Sequence, residues 1–206
     1  MNYLYIIILT FTLISCSENL AENSVQVDSN TLTTYQDSLI GWTLEIPAEW
    51  KIQSKKEIAA INEKGVESLE KAVGTNMDVS SYDNILSFAK DNINMFQSIR
   101  EKYDKDETAW KKNNVALKEL FCSVYAEQGA RLDSSEMTIE EIHGVKFDSY
   151  EILFYDDNKK INLVQVFYST LINGYDFSVS MCVSNEQNKR ELMAIWENSI
   201  FAKQEN

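Results

Sequence analysis

The stretch that decides the fold reads Ile161-Asn162-Leu163-Val164-Gln165-Val166-Phe167-Tyr168-Ser169-Thr170-Leu171-Ile172-Asn173-Gly174-Tyr175-Asp176-Phe177-Ser178-Val179-Ser180-Met181-Cys182-Val183. Asn173-Gly174 supplies the positive φ that a tight hairpin turn needs, so Ile161 to Ile172 pairs with Tyr175 to Val183. In the second arm Tyr175, Phe177, Val179, Met181 and Val183 face one way, and Asp176, Ser178, Ser180 and Cys182 face the other. In the first arm Leu163, Phe167 and Leu171 oppose Val164, Val166, Tyr168 and Ile172. Apolar residues on both sides of one strand imply a sheet covered on both faces.

Working outward, Ser184 and Gln187 are expected to cap a last helix striped by Leu192, Ile195, Trp196 and Ser199. Upstream, Met137 to Ile142 and Val145 to Tyr155 are strand-like around His143-Gly144, and Asp156 to Lys160 is a polar turn. Trp110, Leu117, Leu120, Phe121, Val124 and Tyr125 mark an amphipathic helix ending near Gly129, preceded by an acidic loop from Tyr103 to Glu107. Ile85 to Phe88 looks like a strand, whereas Ile93, Met95, Phe96 and Ile99 choose no period, and the reading of residues 76–110 stays open.

Nearer the N-terminus, Ser54 and Glu57 form a capping box ahead of Ile58, Ile61, Val66, Leu69 and Val73. That pattern predicts a helix from Lys55 to Val73, stopped by Gly74. Trp42, Leu44 and Ile46 alternate with Thr43 and Glu45 in a strand ended by Pro47, the only proline. No internal repeat is present. An antiparallel sheet with helices inserted early and one at the end is an α+β sandwich, helices covering the sheet.

Of the 206 residues, 44% are apolar and 25% charged, the composition of a folded globular protein, and four Trp, ten Tyr and nine Phe supply a core. Asp and Glu exceed Lys and Arg by 32 to 19, a net charge of −13. With no basic cluster, the chain is not a nucleic-acid binder, and an anionic membrane surface repels it.

From Tyr3 to Ile14 no residue is charged, and this run of roughly a dozen is short of the 18 or more that a spanning helix needs. It ends in Leu13-Ile14-Ser15-Cys16, which resembles a bacterial lipobox: an aliphatic residue three places before the cysteine and a small one just before it. The resemblance implies cleavage before Cys16, a diacylglyceryl thioether on its sulfur, and often a further acyl chain such as palmitate on the freed amine. Burial of acyl chains contributes about 0.8 kcal/mol per methylene, so two or three chains anchor firmly. The segment ahead of the run, Met1-Asn2, has no Lys or Arg. The expected organisation is a signal peptide over residues 1–15, a polar tether over 16–34 with a reach of about 20 to 25 Å, and one domain over 35–206. Ser17-Glu18-Asn19 lacks an inner-membrane retention Asp, so the outer membrane is the expected site in the envelope.

Two stretches carry a second resemblance: Gly41-Trp42-Thr43-Leu44-Glu45-Ile46-Pro47-Ala48-Glu49-Trp50-Lys51 and Leu192-Met193-Ala194-Ile195-Trp196-Glu197-Asn198-Ser199-Ile200-Phe201. They resemble the opening and closing of PsbP-like domains, in which an aromatic strand runs into a proline and then tryptophan, and a last helix ends in serine and apolar residues. The resemblance spans Tyr35 to Phe201 and implies a PsbP-like α/β/α sandwich. Proteins of this fold include photosystem accessory proteins, a nuclear-transport regulator and secretion adaptors, which implies binding without a shared active site.

Cys122, on a helix, and Cys182, in a strand, remain once Cys16 carries lipid; free core thiols are expected, and a Cys122–Cys182 disulfide is the alternative. His143 is the only histidine and reads as an exposed turn residue, not a general base. Carboxylates gather at Asp104, Asp106 and Glu107, at Glu136, Glu140 and Glu141, and at Asp156-Asp157. None has calcium-loop spacing, since Ala109 stands where glycine is needed and Val115 where glutamate is. Aromatic residues at strand ends, Trp42, Trp50, Tyr155 and Tyr168, read as core or as a pocket lining. The expectation is a lipid-anchored, non-catalytic binding or assembly module with a protein partner, no cofactor and no metal. An envelope hydrolase using acidic residues and a secretion-effector chaperone are the alternatives.

Overall fold

The computed structural model describes residues 32–74 and 82–202; the lipobox and most of the tether lie outside them. Three layers are present. A central sheet runs in the order β3-β4-β5-β10-β9-β8-β6, with β7 also on β8. Its strands are β3 (Lys51–Ile52), β4 (Asp83–Ala89), β5 (Met95–Lys102), β6 (Arg131–Ser134), β7 (Thr138–Ile142), β8 (Val145–Tyr155), β9 (Ile161–Ile172) and β10 (Tyr175–Val183). A second sheet, β1 (Leu32–Asp37), β2 (Trp42–Pro47) and β11 (Ile200–Phe201), covers one face together with α3 (Glu186–Glu197). On the other face lies α2 (Glu107–Glu127), with α1 (Lys55–Val73) beside it. This is the α+β sandwich expected, with every pairing antiparallel.

The β9–β10 hairpin turns at Asn173 (φ 51°) and Gly174 (φ 77°), both left-handed, and Tyr175 stands opposite Ile172. Its two faces separate as the alternation predicts. Val164, Val166, Tyr168, Phe177, Val179 and Met181 enter the core under β2 and α3, while Leu163, Phe167 and Cys182 enter the core under α2. The first core is aromatic at its centre. Trp196 has the rings of Trp42, Phe96, Phe147, Tyr168, Phe177 and Phe201 at centroid distances of 5.2 to 6.4 Å.

α1 starts as the sequence predicts. The Ser54 backbone N–H donates to Glu57 Oε2 at 2.7 Å, Glu57 N–H donates to Ser54 Oγ at 3.3 Å, and Gly74 closes the helix in the left-handed region. The cap of α3 differs from expectation. Asn185, not Ser184, accepts the N–H of Asn188 at 2.9 Å, because Ser184 is held back at the strand end, its N–H donating to Asn94 Oδ1 at 2.9 Å.

The unassigned middle holds β4, β5 and the start of α2. β5 lies between β4 and β10 with both faces covered, so Met95, Phe96, Gln97, Ser98 and Ile99 are all buried and no alternation survives in the sequence. Leu32, Thr33 and Thr34, read as part of the tether, belong to β1 and pair with Pro47, Ile46 and Glu45. Among the described residues no helix is long and apolar enough to cross a membrane.

Candidate functional site

The antiparallel register sets polar side chains in rows on the face beneath α2. Gln97, Ser180, Phe167 and Tyr150 stand abreast on β5, β10, β9 and β8; Ile99, Ser178, Ser169 and Asp148 form the next row; Glu101, Asp176 and Leu171 the last. α2 lays Trp110, Asn114, Leu117 and Phe121 along this face at helical spacing, all buried. The Phe121 ring stacks on Phe167 at 5.7 Å, and Asn114 Nδ2 donates to Ser169 Oγ at 3.0 Å. The helix is thus seated on apolar contacts at one end and on a polar seam at the other.

Within the seam a cavity of about 30 Å³ is lined by Asn114, Ser169, Ser178 and Ser180, with Phe121 and Tyr150 as walls. Gln97 Nε2, Ser178 Oγ, Ser180 Oγ, Asp176 Oδ1 and Trp110 Nε1 are buried without a hydrogen-bond partner. Unpaired buried groups of this kind cost about 1 to 3 kcal/mol each, so their clustering at one place sets the seam apart from the rest of the core. Asp176 is 8% exposed and Glu101, directly opposite it, 7%. Burial pushes the Asp176 carboxyl up to about 7; nearby Trp110 pulls against that rise, Glu101 adds to it and Ser178 opposes it. Burial also raises Asp148, against the pull of Lys111.

A second polar cluster sits at the same end on the opposite face. Arg100 Nη1 donates to Asp37, which also accepts the N–H groups of Leu39 at 3.0 Å and Ile40 at 3.2 Å. Arg100 Nη2 reaches Asp83 Oδ2 at 3.3 Å, and the guanidinium lies 5.6 Å from the Tyr175 ring centre. Burial, helped by the Asp37 charge, pushes the Tyr35 hydroxyl up to about 12. An open bowl of about 470 Å³ lies at this end, between Glu101 to Asp104 and the Asn173-Gly174-Tyr175 turn.

The residues singled out in the sequence are spread over the molecule. Exposed His143, in the β7–β8 turn at φ 49°, accepts the Phe201 N–H on Nδ1 at 3.1 Å, so its ring ties that turn to β11. Asp106 caps α2 by accepting the Ala109 N–H at 2.9 Å, and Glu107 pairs with Lys111 at 2.7 Å. Asp156 accepts the N–H groups of Asn158 and Lys160, while Asp157 pairs with Arg131 at 2.5 Å. Glu140 accepts from the Tyr168 hydroxyl at 2.8 Å; burial first, and then this bond, raises that hydroxyl above its ordinary value.

Trp42, Trp50 and Tyr168 belong to the core, and Tyr155 donates to Asp133 at 3.0 Å. Cys122 and Cys182 are free thiols in the core under α2, and burial raises that of Cys182. Among the described residues no group of three or more His, Cys, Asp or Glu is placed to hold a metal. Asp176, Glu101 and Gln97 were not singled out by sequence reasoning. The signal for Asp176 was the polar face of β10 in a sheet expected to be covered on both sides; Glu101 and Gln97 lie on β5, whose sequence shows no alternation to mark them.

No family model and no curated protein matches the chain. Among solved structures, the chain is similar to CyanoP, the cyanobacterial PsbP of Synechocystis sp. PCC 6803, at a TM-score of 0.56 and 11% identity, over 88% of this chain and 98% of that one. It also matches LpqN, involved in cell envelope biogenesis of Mycobacterium tuberculosis, at a TM-score of 0.40 and 12% identity, over 84% and 91%. The likeness to CyanoP, nearly end to end for that chain, shows that this chain has the PsbP-like fold.

Proposed function

We propose that this chain is a lipid-anchored, non-catalytic binding or assembly module of the bacterial envelope, held through Cys16 and carried on a polar tether that ends before Leu32. The anchor rests on Leu13-Ile14-Ser15-Cys16, where only a thiolate is nucleophilic enough to take the lipid. The binding role rests on one observation: four of the side chains singled out as a hydrolase's candidates are engaged in holding the fold. His143 accepts a backbone N–H, Asp106 caps a helix, Asp156 closes a turn and Glu140 holds Tyr168. The tether lifts an acidic domain off an anionic headgroup layer, which favours a protein partner over the lipid surface. Ser17-Glu18-Asn19 favours the outer membrane.

Metabolic labelling with a fatty-acid probe tests the anchor. Label is expected on the wild-type chain and absent from Cys16→Ala; label retained by the variant overturns it. Crosslinking in the native cell tests the module, with a stoichiometric protein partner expected and an empty result counting against it.

A further inference from the structure

The apolar contacts of α2 and its polar ones are segregated along its length. From Leu117 onward the helix packs Phe121 on Phe167 and Tyr125 on Phe154 (centroids 5.0 Å apart), an ordinary dry interface. Ahead of Leu117 it covers the seam, where Trp110 and Asn114 sit over Asp176, Ser178 and Ser169. At its tip Asp176 and Glu101 stand opposite each other on β10 and β5, both residues less than one-tenth exposed, with the Trp110 indole and the Ser178 hydroxyl as the polar groups beside the Asp176 carboxyl.

We propose that the N-terminal half of α2 is a proton-operated latch: it lies closed over the seam while Asp176 is protonated and lifts when Asp176 ionises beside Glu101.

The charges around Asp176 give it little alternative. On β5 the facing group is Glu101, and on β9 it is Leu171, which carries no charge. On β10 its neighbour along the face is Ser178. On α2 the nearest turns carry Asp106, Glu107 and Lys111, of which Asp106 is committed to the cap and Lys111 to Glu107. On β8 Asp148 lies within reach of the same lysine. A carboxylate at this place has Glu101 as its cross-strand neighbour, and among the described residues no ion pair to a Lys or Arg holds it. The half-positive end of α2, which would otherwise favour an anion, is already occupied by Asp106 and Glu107. Lifting the first turns lets water reach Asp176 and opens the cavity lined by Ser178 and Ser180, leaving the Phe121 and Tyr125 contacts in place.

Hydrogen exchange on the full chain, corrected for intrinsic rate, tests this. Between about pH 5.5 and about pH 8.5 the opening constant of amides from Trp110 to Leu117 is expected to rise about tenfold or more, through an opening insensitive to low denaturant. Asp176→Asn should abolish the rise. Should that variant fold poorly, Glu101→Gln, which removes the repelling neighbour, should shrink it. Two results overturn the latch: a rise that persists in Asp176→Asn or keeps its size in Glu101→Gln, or exchange of these amides with the same opening constant and denaturant slope as those of β10, which would mean global unfolding.

Discussion

Trp42 Nε1 donates a buried hydrogen bond of 3.1 Å to Ser199 Oγ across 157 residues of chain. It joins the strand that opens the domain to the residue that follows the last helix, and both partners lie 1% exposed in the aromatic core. Ser199→Ala leaves the indole N–H unpaired where no water replaces the hydroxyl. A loss of about 1 to 3 kcal/mol in denaturant unfolding is expected, with the m-value unchanged. A loss within about 0.5 kcal/mol, the range of ordinary surface substitutions, would show the bond to be dispensable.

The Asp37–Arg100 pair closes the same end of the molecule. Their side chains are 8% and 14% exposed, and Asp37 also binds two backbone N–H groups of the β1–β2 turn. Removing one partner strands the other, at a cost of about 3 to 5 kcal/mol for a fully buried pair and less here because Arg100 keeps Asp83. Asp37→Ala and Arg100→Met together should therefore cost less than the sum of the two single variants. A double-mutant cycle with a coupling below about 0.5 kcal/mol refutes a cooperative pair.

Global stability should depend on pH through Asp176. Its carboxyl rises from 3.8 in the unfolded chain to about 7 in the native one, so the native state holds a proton that the unfolded chain has released. The stabilisation is complete below about pH 4 and is lost as pH rises through about 7, on the order of 4 kcal/mol in all. Asp176→Asn should flatten this part of the profile and melt higher than wild type at about pH 8, as thermal unfolding across pH will show. An equal slope in both proteins would assign the dependence to other groups.

Two glycines should differ in cost. Gly174 adopts φ 77° in the β9–β10 turn with open space where a Cβ would sit, so Gly174→Ala costs only the left-handed backbone, about 1 to 2 kcal/mol. Gly41, at φ 69°, has Ala202 Cβ only 3.0 Å from that position, and the Ala202 N–H donates to Gly41 O at 2.8 Å. Gly41→Ala therefore adds a steric clash to the same strain and should destabilise more in parallel melts. The reverse order would mean that the chain end yields freely.

Local chemistry and periodicity were enough for much of the fold. Ser54, Glu57 and Gly74 mark the ends of α1, and Asn173-Gly174 sets the register of the β9–β10 hairpin, because these devices involve neighbours only a few residues apart. Alternation in Trp42, Leu44 and Ile46 and in β10 separates the two cores for the same reason. The proposed anchor, too, rests on contiguous residues, Leu13 to Cys16. Tertiary structure alone decided the rest. β5 lost its period because neighbours cover both its faces, and Asn94, far along the chain, holds Ser184 out of the α3 cap. Whether Asp176 is a solvated strand residue or a buried acid depends on where Trp110 of α2 comes to lie and on Glu101 standing opposite. Burial is a sum over partners distant in sequence, so a polar face reads as surface until a helix is laid on it.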